Sequence, residues 1–125
     1  MTMAKKRILL IDDEPSFTRM LRLNHEKTGT YEVREENSGK KALATANEFK
    51  PDLILLDVIM PDADGGEVAA QIKADRNLKD VPIVFLTAVV TKKEEGLIGG
   101  RPFLAKPAGV KEVVDCIEKH LAKPS

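Results

Sequence analysis

Residues 8–15 read Ile8-Leu9-Leu10-Ile11-Asp12-Asp13-Glu14-Pro15, and residues 53–57 repeat the form as Leu53-Ile54-Leu55-Leu56-Asp57. Each is a short continuous apolar run that stops at an acid. A run without polar alternation reads as a strand buried on both faces, as in a parallel sheet. Val81 to Leu86 forms a third run, ending at Thr87. Tyr31 to Glu35 is a weaker strand candidate, with only Tyr31 and Val33 apolar. Phe103 to Ala105 is a short fifth. Pro102 has no N–H to donate, so it belongs at that strand's start or on an edge.

Helical patterns lie between the strands. Pro15 suits a first helical turn, and Phe17, Met20, Leu21 and Asn24 then share a face, with Gly29 able to close the helix. Ser38 is placed to cap a second helix carrying Ala42, Leu43 and Ala46. A third is expected from about Gly66 to Asp75, with Val68, Ala69 and Ile72 inward. The fifth is the clearest, with Val110, Val113, Val114, Ile117 and Leu121 at helical spacing. Between Thr87 and Phe103 the glycines Gly96, Gly99 and Gly100 leave only about two turns for a fourth helix, with Thr91 as its cap. Five βα units with right-handed crossovers give an α/β fold, a five-stranded doubly wound parallel sheet with helices on both faces.

The chain has 125 residues, enough for one domain with one ordinary core. It is 42% hydrophobic and 32% charged, too apolar for a disordered chain. Lys+Arg and Asp+Glu balance at 20 each, so net charge gives no argument for nucleic-acid or anionic-membrane binding. The one cysteine, Cys116, excludes an intrachain disulfide framework and a multi-Cys zinc site. Its apolar runs are too short to span a bilayer, and the start of the chain is no signal peptide. A reducing cytoplasm is the expected compartment.

In open α/β sheets, ligands bind beyond the carboxyl ends of the strands. Asp12-Asp13-Glu14, Asp57 and Thr87 all fall there, and adjacent strands are only about 4.8 Å apart. Clustered carboxylates repel one another unless a cation joins them, and hard oxygen ligands select magnesium or calcium. Lys106 follows the fifth strand and can reach the same edge. A carboxylate nucleophile, metal ligands, a hydroxyl and a lysine together make a phosphoryl-transfer site. Taken singly, each residue is ordinary: an acid at a strand end is commonly a turn or a helix start. Their joint placement at one edge carries the argument.

At these residues the chain resembles the receiver domains of bacterial two-component response regulators, from Arg7 to about Leu121. The matching pieces are Ile8 to Pro15, Pro51 to Pro61, Asp64-Gly65, Val81 to Ala88 and Lys106-Pro107. The resemblance implies a flavodoxin-like sheet with strand order 2-1-3-4-5 and five helices, the fourth short. It implies one receiver domain over residues 1–125, with a core from about 6 to 122. Asp57 matches the phosphoacceptor that takes a phosphoryl group from a sensor histidine kinase or phosphotransfer protein. Asp13 matches the direct Mg²⁺ ligand, Asp12 its partner, and the Ile59 backbone carbonyl a further ligand. Thr87 and Lys106 would bind phosphoryl oxygens, and Phe103 matches the aromatic switch position. The Lys106–Pro107 bond would be cis. Phosphorylation adds a charge of about −1.5 to −2 and strong acceptors, which would draw Thr87 and Lys106 inward.

Three departures set further expectations. The stretch from Thr87 to Lys106 is about one helical turn shorter than usual, so a short, mobile fourth helix is expected at the face that reports phosphorylation. Ile59 and Val89 are apolar where many relatives are polar, so self-dephosphorylation is expected to be slow. No output domain follows Leu121, so the output of a stand-alone chain would be a partner protein or onward phosphotransfer. His25 and His120 are expected at the helix surface, Cys116 as a small packing residue, and Lys92 to Glu95 as a solvated helix start.

Other function classes fit less well. A phosphohydrolase using an aspartyl phosphate would carry Asp-x-Asp after its first strand, and it would have a cap over its substrate. A flavin-binding protein of this fold would want glycine where Asp12 and Asp13 stand. A pseudo-receiver, binding a partner without phosphorylation, is opposed by the intact Asp12, Asp13, Asp57, Thr87 and Lys106.

Overall fold

The computed structural model describes residues 6–13, 19, 22, 31–60, 63–87, 103–105 and 110–122. Five strands form one parallel sheet: β1 (Lys6–Ile11), β2 (Tyr31–Glu36), β3 (Leu53–Asp57), β6 (Ile83–Thr87) and β7 (Phe103–Ala105). Their order is β2-β1-β3-β6-β7, the arrangement expected from the sequence. A two-stranded antiparallel piece, β4 (Ile59–Met60) with β5 (Ala63–Asp64), follows β3 and was not foreseen. Pro61-Asp62, a turn-forming pair, is the sequence signal for it.

Alternation along the strands explains why the apolar runs are continuous. Leu9, Ile11, Ile54, Leu56, Ile83 and Phe85 face one side. There they pack against α1 (Ala42–Phe49) and α2 (Gly65–Ala74) through Ala42, Ala46, Phe49, Val68, Ala69 and Ile72. Ile8, Leu10, Leu53, Leu55, Val84 and Leu86 face the other side. That side is covered by Val113 and Ile117 of α3 (Val110–Ala122), with Cys116 and Leu121 packed at its margin. From Ile8 to Ile11 in β1 and throughout β3 every residue is therefore buried, and truncating one of the central leucines to alanine costs about 2–5 kcal/mol. Cys116 is the packing residue expected, and burial pushes its thiol pKa up. His120 is half-buried, with Nδ1 2.8 Å from the Cys116 carbonyl oxygen.

Three helices are thus described, corresponding to the second, third and fifth expected. The first helix, the fourth helix with Thr91, the histidine His25, the run Lys92 to Glu95 and the Lys106–Pro107 bond lie outside the described residues. One local expectation needs correction. Ser38 does not cap α1 directly, because a short 3₁₀ turn, Gly39–Lys41, intervenes. Ser38 is extended at the start of that turn, but its side chain makes no capping hydrogen bond. Its N–H instead donates to the Glu36 carboxylate at 3.0 Å. At the other end of α1, Lys50 takes the left-handed conformation (φ 55°), and its N–H donates to the Ala46 carbonyl. Among the described residues, no helix is long and apolar enough to cross a membrane.

Candidate metal and phosphoryl site

The parallel ladders end where the acids begin. Ile11 and Leu56 are the last registered pair between β1 and β3, and each is followed by an aspartate. The Asp12 N–H continues the β1–β2 ladder by donating to the Glu36 carbonyl at 3.1 Å. The Val58 N–H continues the β3–β6 ladder by donating to the Leu86 carbonyl at 3.0 Å. Asp12 and Asp57 therefore leave the sheet on rigid backbone, side by side on adjacent strands.

Both are withdrawn from solvent: Asp12 is 0% exposed and Asp57 is 6% exposed. Asp13 is half-buried. One carboxylate oxygen from each of Asp12, Asp13 and Asp57 lies within 4.8 Å of the other two. Buried carboxylates are costly unless they are paired or coordinate a cation. Three converging hard oxygen donors suit Mg²⁺ or Ca²⁺, so the residues present fit such an ion.

The turn after β3 is equally constrained. The Gly65 N–H donates to the Val58 carbonyl at 2.9 Å, folding the chain back over the end of the strand. A Cβ on Gly65 would lie 2.3 Å from the Asp57 carbonyl oxygen and 2.7 Å from Val58 Cα. Only glycine admits that approach, so the Asp64-Gly65 pair fixes the backbone of the candidate phosphoacceptor. Ile59 opens β4 opposite Asp64.

Thr87 is the last residue of β6 and stands in register with Ala105, the residue before Lys106. Phe103 is registered with Phe85 on the same pair of strands. The sheet thus brings the Asp12, Asp13 and Asp57 carboxylates together and carries the Thr87 backbone to the same edge. Lys106 and Val89 lie outside the described residues.

Sequence reasoning missed one supporting group. Asn37 Nδ2 donates to the Asp12 carbonyl at 2.7 Å. Next to it, Glu36 accepts from Thr45 Oγ1 at 2.6 Å and from the Ser38 N–H, tying the end of β2 to α1. The available signal was Asn37-Ser38-Gly39, a loop-forming cluster after a strand.

Comparison with known proteins agrees with this geometry. A family model described as the response regulator receiver domain matches residues 8–118. The DNA-binding dual master transcriptional regulator RpaA of Synechocystis is 36% identical over 111 residues, covering 86% of this chain and 46% of RpaA. This chain thus spans about half the length of that relative. The polar-differentiation response regulator DivK of Brucella ovis is 32% identical over 119 residues, covering 93% of this chain and 96% of DivK. Among solved structures, the receiver domain of the sensor histidine kinase PA1611 from Pseudomonas aeruginosa superposes with a TM-score of 0.85. It is 28% identical, with 96% of this chain and all of that chain covered. That structure holds a magnesium ion in its active-site cleft. With the receiver-domain family model matching residues 8–118, nearly the whole chain, this chain belongs to the response regulator receiver domain family of two-component signalling.

Proposed function

We propose that this chain is a phosphoryl-accepting signalling receiver, with Asp57 as the acceptor and Mg²⁺ as the required ion. Receiver domains are signalling domains rather than metabolic enzymes, so no separate substrate turnover is expected. The observation that carries the reading is the convergence of the Asp12, Asp13 and Asp57 carboxylates within 4.8 Å at the carboxyl edge of the sheet. Asp12, Asp13, Asp57 and the Ile59 carbonyl would hold the ion. When bound, Mg²⁺ would supply charge neutralisation at the transferring phosphoryl oxygens.

The donor is a phosphohistidine of a sensor histidine kinase or a phosphotransfer protein. An Asp57 carboxylate oxygen forms the new P–O bond as the P–N bond breaks, and the departing imidazole takes up a proton. The rigid ladder behind Asp57 holds its oxygen on target, because positioning supplies most of the rate in such transfers. Thr87 and Lys106 would then bind phosphoryl oxygens, and Phe103 would move into the space Thr87 leaves. The Thr87–Ala105 register supports this, because Ala105 is the residue that precedes Lys106 in the sequence. The whole chain, residues 1–125, acts as one receiver domain with its core over about 6–122, and the compartment is cytoplasmic. Apolar residues at positions 59 and 89, Ile59 and Val89, where many relatives are polar, would make self-dephosphorylation slow.

The test is intact mass after incubation with Mg²⁺ and a small phosphodonor, beside Asp57→Asn. One phosphoryl group should be added to the wild type, and none to the variant or without Mg²⁺. A wild type that binds Mg²⁺ yet gains no mass would replace this reading with that of a pseudo-receiver, a partner-binding module independent of phosphorylation.

A further inference from the structure

The Asp12–Asp13 segment poses a mechanical problem. Three carboxylates converge within 4.8 Å, and two of them are buried. Without a cation their negative charges repel one another, which works against the geometry that a metal ion needs. Something must hold it before the ion arrives.

Contacts that hold the segment in place come from the end of β2 and the residue after it. The Asp12 N–H donates to the Glu36 carbonyl at 3.1 Å, and the Asp12 carbonyl accepts from Asn37 Nδ2 at 2.7 Å. The segment is thus gripped on both sides of the Asp12 Cα. The second grip matters more for the site. The Asp12 carbonyl and the Asp13 N–H belong to one planar peptide unit. Fixing that oxygen fixes the plane from which the Asp13 Cα departs, and so the direction in which its side chain is offered. The first grip is backbone to backbone and survives any substitution. The second depends on the side chain at position 37.

Asn37 is itself held. Its neighbour Glu36 accepts hydrogen bonds from Thr45 Oγ1 of α1 at 2.6 Å and from the Ser38 N–H at 3.0 Å. Those bonds brace the end of β2 against the helix. Asn37 is exposed, so it contributes little to the core, and its short bond to Asp12 is its connection to the acidic edge.

We infer that Asn37 is a positioning residue for the metal site: it locks the Asp12–Asp13 peptide plane from just beyond the end of β2 and pre-sets the acid pair for Mg²⁺. The inference rests on the reading of Asp12, Asp13 and Asp57 as the ion's ligands. Asn37 touches neither the ion nor the phosphoryl group.

The experiment is calorimetric titration of Mg²⁺ into the wild type, Asn37→Ala and Asn37→Gln. Urea unfolding without Mg²⁺ and phosphorylation by a small donor across a Mg²⁺ series accompany it. Loss of a partner that orients a ligand commonly weakens metal affinity by about tenfold or more. Asn37→Ala should therefore bind Mg²⁺ roughly tenfold more weakly and need correspondingly more Mg²⁺ for half-maximal phosphorylation. Its rate at saturating Mg²⁺ should approach that of the wild type. Asn37→Gln, which keeps the amide donor, should recover part of the affinity. Equal affinity in the wild type and Asn37→Ala would overturn the inference alone. So would a loss of stability with a matching loss of rate that saturating Mg²⁺ does not restore, since that is the mark of a merely structural role. A wild type that takes up no Mg²⁺ would overturn the underlying reading of the acids, and the inference with it.

Discussion

Strands β1 and β3 carry charge at both ends, and the two ends treat it in opposite ways. At the amino end Arg7 and Asp52 have complements. The Arg7 N–H donates to the Asp52 carboxylate at 2.8 Å, and the Asp52 N–H returns a bond to the Arg7 carbonyl at 2.7 Å. The Arg7 guanidinium donates to the Phe49 carbonyl at 2.9 Å and lies 5.7 Å from the centre of the Phe49 ring. Glu32 stands within 3.9 Å of the same guanidinium. At the carboxyl end of the same strands, Asp12 and Asp57 are buried beside each other and beside Asp13. One end is electrostatically settled. The other gathers three carboxylates within 4.8 Å of one another, a concentration of like charge that a cation would offset. Substitutions at the two ends should therefore differ in which property they damage.

The largest effect is expected where the backbone itself shapes the acidic end. An alanine methyl at Gly65 would meet the Asp57 carbonyl oxygen at 2.3 Å and the Val58 carbonyl oxygen at 2.9 Å. These are backbone atoms, which cannot swing aside as a side chain can. Gly65→Ala should destabilise the fold by about 2–3 kcal/mol by urea unfolding, at the upper end for overpacking, and should also reduce phosphorylation of Asp57. Gly66→Ala is the matched control. Gly66 is exposed in α2, where alanine raises helix propensity, so that variant should be neutral or slightly more stable. Equal behaviour of the two would show that the close approach does not constrain the site.

The contrast between the ends also marks what the sequence could reveal. The carboxyl edge was legible because short runs such as Ile8-Leu9-Leu10-Ile11, each stopping at an acid, read as strands covered on both faces, and a parallel sheet aligns whatever follows them. Asp12, Asp13 and Asp57 could thus be placed together before any coordinates. The short β4–β5 pair was not legible, since two-residue strands carry no periodicity. Nor was the support from Asn37. Its role depends on the register that sets Ile11 beside Glu36, and β2 itself was only a weak candidate. Ser38 misled for a related reason. Its residue type matches a helix cap and it does stand at the start of the 3₁₀ turn that leads into α1, but its side chain makes no capping hydrogen bond. Local propensity names the candidates for a hydrogen bond; tertiary register decides which of them make it.

A smaller effect is expected at the amino end. Arg7→Ala removes a hydrogen bond to the Phe49 carbonyl and a cation–π contact, but it leaves the backbone exchange with Asp52 intact. Arg7 is about half exposed, so the ion pair with Glu32 adds little. The loss should be about 1 kcal/mol by urea unfolding, from the one hydrogen bond and the ring contact. Mg²⁺ affinity and the rate of phosphorylation should stay at wild-type values, because β1 transmits no charge along its length. A change in Mg²⁺ affinity would mean that the two ends are coupled through the strand, and the division of labour between them would fail.

The smallest effect has the opposite sign, and it tests the comparison most directly. Asp57→Asn removes the proposed acceptor, and it also removes one of three converging negative charges. The side chain keeps its size, so the packing at the end of β3 is preserved, and its amide can donate to a neighbouring carboxylate. In Mg²⁺-free buffer the variant should therefore be more stable than the wild type, by about 1 kcal/mol on the scale of a relieved charge repulsion. Adding Mg²⁺ should reverse the order. An ion that binds only the folded wild type stabilises it by RT ln(1 + [Mg²⁺]/Kd), or about 2.7 kcal/mol at a hundred times Kd, whereas the variant has lost a ligand charge. Thermal unfolding of both proteins across a Mg²⁺ series should show the two curves cross. If Asp57→Asn is less stable at every Mg²⁺ concentration, the buried carboxylate is held by protein contacts as well matched as those of Arg7. The acidic end would then be as settled as the other.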